Sequence, residues 1–176
     1  MRMSVVVTIV VVASLRRAEM VAQQTDRSAD LMEASRLFAD VVGQWVCTGS
    51  FSDGRPLAAD LSFAATMDGR TVRYVHRDRS PNRFVQEAMW GPDIANHQLV
   101  SVAFMGSAET LTPALFVSTK WSARSVILES RPLTSPPFAT NRFTYTLEAL
   151  NTLRVVWEVL RDGKWSVGDE LRCTRR

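Results

Sequence analysis

The chain has 176 residues and 46% apolar content, a size that suits one domain and a composition that argues against an intrinsically disordered chain. Its 21 basic and 18 acidic residues give a net charge of +3 and a pI near 9.3. Three of the arginines, Arg2, Arg16 and Arg17, lie in the first 22 residues against one acid, Glu19, so the remainder carries 18 basic and 17 acidic residues. That balance argues against a nucleic-acid binder, which gathers its basic residues on one face. The densest basic run, Arg70, Arg73, Arg77, Arg79 and Arg83, is diluted by Asp68, Asp78 and Glu87 and reads as a solvated hairpin. Arg175 and Arg176 read as a frayed end.

Residues 4–15, SVVVTIVVVASL, are almost wholly apolar behind a short start carrying Arg2. Twelve residues fit a signal-peptide core and fall short of the ~20 that span a bilayer. Cleavage is expected after Ala22, although Met20 is large for its position and Arg16-Arg17 is unusual there. An uncleaved membrane anchor is the alternative. Residues 1–22 are thus read as a signal peptide, 23–29 as a linker and 30–176 as the folded domain, secreted or periplasmic, with no stable membrane insertion once the leader is removed.

Residues 30–42 read as one helix, because Leu31, Ala34, Leu37, Phe38 and Val41 form a single apolar stripe. Asp30 and Glu33 resemble a capping box, and Gly43 can end the helix. Beyond Gly43 the period changes to two. Strands are predicted near 44–51, 57–66, 70–77, 82–90, 98–104, 114–121, 124–130, 141–149, 152–160 and 164–173. Asp53-Gly54, Asp68-Gly69 and Asp162-Gly163 supply hairpin turns between strands. Residues 131–140, RPLTSPPFAT, make one stiff, non-repeating loop. Ten short strands joined mostly by hairpins predict an all-β fold, a closed up-and-down antiparallel barrel, with a two-sheet sandwich as the alternative. The two cysteines, Cys47 and Cys173, can bond in an oxidising compartment; two buried free thiols are the other possibility.

A helix leading into Gly43-Gln44-Trp45 resembles the Gly-x-Trp opening of lipocalins and other calycin barrels. With Val46-Cys47 added, and with Trp165-Ser166-Val167-Gly168-Asp169-Glu170 near the end, the pattern is similar to a bacterial lipocalin-like family of unassigned function. The resemblance covers residues 30 to 173 and implies a barrel more firmly than a ligand. In such a barrel Trp45 points inward and closes the bottom, the helix acts as a lid, and Arg172 or Arg175 packs on the tryptophan. First and last strands are neighbours only if the sheet closes, so a Cys47–Cys173 bond would fasten that seam. Trp165, Val167, Leu171 and Cys173 share one parity in the last strand.

No catalytic motif stands out. There is no Gly-x-Ser-x-Gly elbow, no glycine-rich phosphate loop and no paired His or Cys metal spacing, so neither a cofactor nor a metal is expected. A haem-binding barrel of the nitrobindin type needs a histidine near its C-terminal end, and His76 and His97 are both far from it. They read as a strand-face and a solvated-loop histidine. Among the acids, Glu158 alternates with Trp157 and faces water if Trp157 faces the core, whereas Glu87 is the candidate buried acid. The leading expectation is non-catalytic binding of a small hydrophobic or amphipathic molecule in the barrel, with Glu87, Trp90, Tyr145 and Trp157 as candidate ligand-binding residues. An enzyme using an interior carboxylate with Tyr74 or Tyr145, or an interaction module with a filled barrel, are the alternatives.

Overall fold

The computed structural model describes residues 32–107, 109–118, 120–132 and 140–176. The expected leader, the linker, the Asp30 cap and most of the proline-rich loop lie outside the described residues. A helix over 32–41 (α1) buries Ala34, Leu37, Phe38 and Val41, the predicted stripe less Leu31. It runs directly into an antiparallel sheet of eleven strands. These are β1 (Gly43–Phe51), β2 (Pro56–Thr66), β3 (Thr71–Asp78), β4 (Val85–Asp93), β5 (Gln98–Ser107), β6 (Thr110–Ser118), β7 (Trp121–Ser122), β8 (Ser125–Arg131), β9 (Asn141–Ala149), β10 (Thr152–Arg161) and β11 (Lys164–Arg175). Consecutive strands pair except β6 and β7; β1 pairs with β11, and β6 pairs instead with β8, which also carries the short β7. The result is a closed ten-strand antiparallel barrel with the helix packed on one end.

Strict alternation builds the wall. In β2, Leu57, Ala59, Leu61 and Phe63 are buried, and in β9 Phe143, Tyr145 and Leu147 are, because every second side chain turns inward. The Asp162-Gly163 turn has positive φ at both residues, 49° and 74°, the two-residue hairpin geometry that Asp-Gly favours. Two departures from simple alternation matter. β6 begins at Thr110 rather than near 114, so Pro113 lies within a strand. Its pairing with β8 covers only Leu115 to Val117, which leaves Pro113 on a stretch needing a ladder on the β5 side alone. In β11, Trp157 pairs with Asp169 and Glu158 with Val167, so Gly168 is an extra, bulged residue. The bulge reverses parity. Leu171 and Cys173 face inward as expected, but Val167 is 49% exposed and Trp165 lies on the outer wall under the Arg142 guanidinium at 4.2 Å, correcting the single parity predicted for all four.

The floor forms as the resemblance implies. Trp45 is 1% exposed, its Nε1 donates to the Val41 carbonyl of α1 at 2.9 Å, and the guanidinium of Arg175 stacks 4.3 Å from its ring. Arg175 also donates to the carbonyls of Asp40, Val42 and Leu150, so one side chain joins the helix end, the tryptophan and the β9–β10 turn. It is therefore not a frayed end. Cys47 and Cys173 face each other in the β1–β11 ladder and form a disulfide, both fully buried.

Candidate functional site

The helix end of the barrel is filled. Phe63, Tyr74, Trp90 and Tyr145 pack ring against ring, with centroids 4.7 Å apart for Trp90–Tyr145 and 4.8 Å for Phe63–Tyr74. The opposite half is hollow, with a cavity of about 790 Å³. Its walls are mostly apolar: Phe51, Leu57, Phe84, Met105, Phe116 and Phe143, continued by Val155, Trp157, Val159 and Leu171. Its mouth lies among Asn82, Arg83, Arg131, Pro132, Thr140 and Arg161, at the end away from the helix. The short β6–β8 contact extends the opening along Thr112, Pro113 and Ala114.

One wall is polar. Tyr74, His76 and Asp78 alternate along β3, so all three turn inward from floor to mouth. The Tyr74 hydroxyl lies 3.2 Å from His76 Nδ1, and His76 Nε2 lies 2.8 Å from Asp78 Oδ1. A carboxylate only accepts, so Nε2 carries a proton toward Asp78; in the neutral ring Nδ1 then accepts from Tyr74. Tyr145 packs edge to face on Tyr74, with ring centroids 5.6 Å apart. Burial pushes both tyrosine hydroxyls to high pKa, so they remain protonated. Asp169 lines the same cavity. Burial raises its carboxyl from 3.8 to about 7, and the nearby charge of Asp78 adds to the shift.

The four residues singled out for ligand contact are not brought together. Trp157 lines the cavity, resting where the absent Cβ of Gly168 would be. Trp90 and Tyr145 lie behind it in the packed aromatic floor. Glu87 is not the buried acid: Gln86, Ala88 and Trp90 take the inward positions of β4, and Glu87 stands half exposed on the outside, 2.7 Å from Arg73. That ion pair holds the Glu87 carboxyl below its ordinary pKa. Glu158 and Glu170 likewise face outward, paired with Arg142 and Arg154. The interior acids are instead Asp78 and Asp169, and His76 is a wall residue of the cavity. The signal was present in the sequence, since His76 and Asp78 keep the parity of Val72 and Tyr74, and Asp169 keeps that of Leu171 and Cys173.

Among the described residues no cluster of three or more His, Cys, Asp or Glu could hold a metal ion, and no helix is long and apolar enough to cross a membrane. The outer faces of β4 to β6 leave Met89, Val102, Phe104 and Leu111 exposed.

No protein-family model matches the chain, and no curated protein matches it. Solved structures do. The crystal structure of Rv2717c from M. tuberculosis superposes with a TM-score of 0.58 at 12% identity, covering 81% of this chain and 97% of that one. The S-type phycobiliprotein lyase CPES from Guillardia theta superposes more loosely, with a TM-score of 0.46 at 8% identity over 86% of this chain and 97% of that one. At such identity the likeness is one of fold, a closed antiparallel β-barrel.

Proposed function

We propose that this chain is a non-catalytic carrier that holds one small hydrophobic or amphipathic molecule inside its barrel, outside the cytoplasm. The observation that carries this reading is the cavity of about 790 Å³ with apolar walls and a mouth at one end. Binding sites for small molecules typically enclose ~300–1,000 Å³. The filled barrel required by the interaction-module reading is not what the structure has. The enzymatic alternative is supported less well: Asp78 reaches Tyr74 only through His76, and the two tyrosines lie behind the cavity wall with their hydroxyls held protonated by burial. A disulfide in the wall fits an oxidising compartment and supports export to a secreted or periplasmic location. Native mass spectrometry after incubation with a total lipid extract tests the proposal. A one-to-one adduct in the molecular-mass range of a small lipid is expected; a bare protein at every extract concentration would count against it.

A further inference from the structure

We propose that the cavity selects an amphipathic organic cation, an alkyl or aryl ammonium whose charged head is taken up at the Asp78–Asp169 wall while its apolar part fills the remaining space. This rests on the reading of the cavity as a ligand site and adds the class of ligand.

The first support is the state of Asp78. Its side chain is only 6% exposed and lines the cavity; Oδ1 is taken by His76, and Oδ2 has no hydrogen bond among the described residues. That oxygen is open to the cavity, where a ligand's donor can reach it. The second is that Asp169 lines the same space and makes no ion pair or hydrogen bond among the described residues. Two carboxylates therefore share one cavity, and a cation is the ligand charge that relieves both.

No protein cation already does so. His76 is committed to Asp78 and Tyr74. At the mouth Arg83 turns to Glu109 at 3.3 Å and Arg131 to Glu129 at 2.6 Å, while Arg79, nearby on the outside, is held by Asp60. Arg161 lines the rim, exposed and without an ion pair among the described residues, so it is the one basic group free to disfavour a cation there. The walls add a further attraction. Phe51, Phe84 and Trp157 line the cavity, and aromatic faces attract quaternary ammonium groups. An anionic head would face two carboxylates, and a neutral hydroxyl would satisfy Asp78 Oδ2 without balancing charge.

Isothermal titration of the whole protein with octylammonium, 1-octanol and octyl sulfate tests this, since the three share a tail and differ in head charge. The cation is expected to bind at least tenfold more tightly than either of the others. Raising the pH from 6 to 8, through the range in which Asp169 ionises, should strengthen the cation and leave octanol unchanged. Asp78→Asn keeps an acceptor for His76 and should bring the cation within threefold of octanol; Asp169→Asn should remove the pH effect and most of the preference. If Asp78→Asn fails to fold, the Asp169 variant decides. Tightest binding of octyl sulfate, or a cation preference that survives both substitutions, overturns the inference. Equal binding of all three overturns it while leaving the carrier reading intact, and no binding of any overturns both.

Discussion

Two tryptophans fully buried in one barrel offer an internally controlled test of how its floor is held. Trp45 and Trp90 are 1% and 0% exposed, so replacing either by Phe removes a similar buried volume. Their indole nitrogens differ. Trp45 Nε1 donates to Val41 O at 2.9 Å, whereas Trp90 Nε1 has no partner among the described residues. Trp45→Phe therefore loses a hydrogen bond with a net value of about 0.5–1.5 kcal/mol, and it weakens the Arg175 stack, worth about 0.5–2 kcal/mol. Trp90→Phe removes an unsatisfied donor whose burial costs about 1–3 kcal/mol. The cavity terms roughly cancel in the comparison, leaving Trp45→Phe more destabilising than Trp90→Phe by about 2–6 kcal/mol. Urea unfolding with a shared m-value reads this directly. Trp45→Ala, which also loses the ring, should cost about 3–5 kcal/mol. Equal costs for the two Phe variants, or a larger cost at Trp90, would refute the claim that Trp45 is fastened to α1 through its indole nitrogen and Arg175.

Reducing the Cys47–Cys173 bond, which spans 126 residues, should lower stability by at most about 4–5 kcal/mol and leave the barrel folded, since the β1–β11 ladder continues on both sides of it. Circular dichroism melts with and without reductant check this, and two free thiols counted in denatured, unreduced protein would contradict the bond. Asp169 makes stability pH-dependent with a definite sign. Its carboxyl ionises near 3.8 in the unfolded chain and about 7 in the barrel, so between these values the folded state holds a proton that the unfolded chain has released. Stability should fall as pH rises through that window and be lowest above it. Asp169→Asn should melt at a higher temperature than the parent at pH 8, with the gap closing toward pH 4; a gap that widens toward pH 4 would contradict this.

Much of the architecture was legible because period-two alternation and Asp-Gly turns are local signals. Eight of the eleven strands begin within a residue of where alternation places them, and Gly-x-Trp with the cysteine pair marks the seam. What alternation misses is where it is interrupted. Pro113 hid the first half of β6, since a proline is tolerated there only because that stretch lacks a partner on one side. The Gly168 bulge moved Trp165 and Val167 to the outer wall, a change of parity set by tertiary pairing. The site was harder to read for a related reason. Acids beside tryptophans, Glu87 among them, are the conspicuous candidates in the sequence, whereas the interior acids are marked by sharing parity with Tyr74 and with Cys173. Arg172 and Arg175 were indistinguishable in sequence; the inward parity of Cys173 selects Arg175.

The most direct test of the carrier claim is a titration of N-phenyl-1-naphthylamine, an uncharged fluorophore that brightens in apolar surroundings, into the parent protein and an Ala114→Trp variant. Ala114 lines the cavity on β6, and an indole there occupies space a ligand would use. The account predicts saturable, blue-shifted emission from the parent with a micromolar Kd, about −8 kcal/mol. It predicts at least tenfold weaker binding in the variant at an unchanged melting temperature. Saturable binding of equal strength in both proteins would place the fluorophore outside the cavity, and the absence of any saturable signal from the parent would contradict the carrier reading itself.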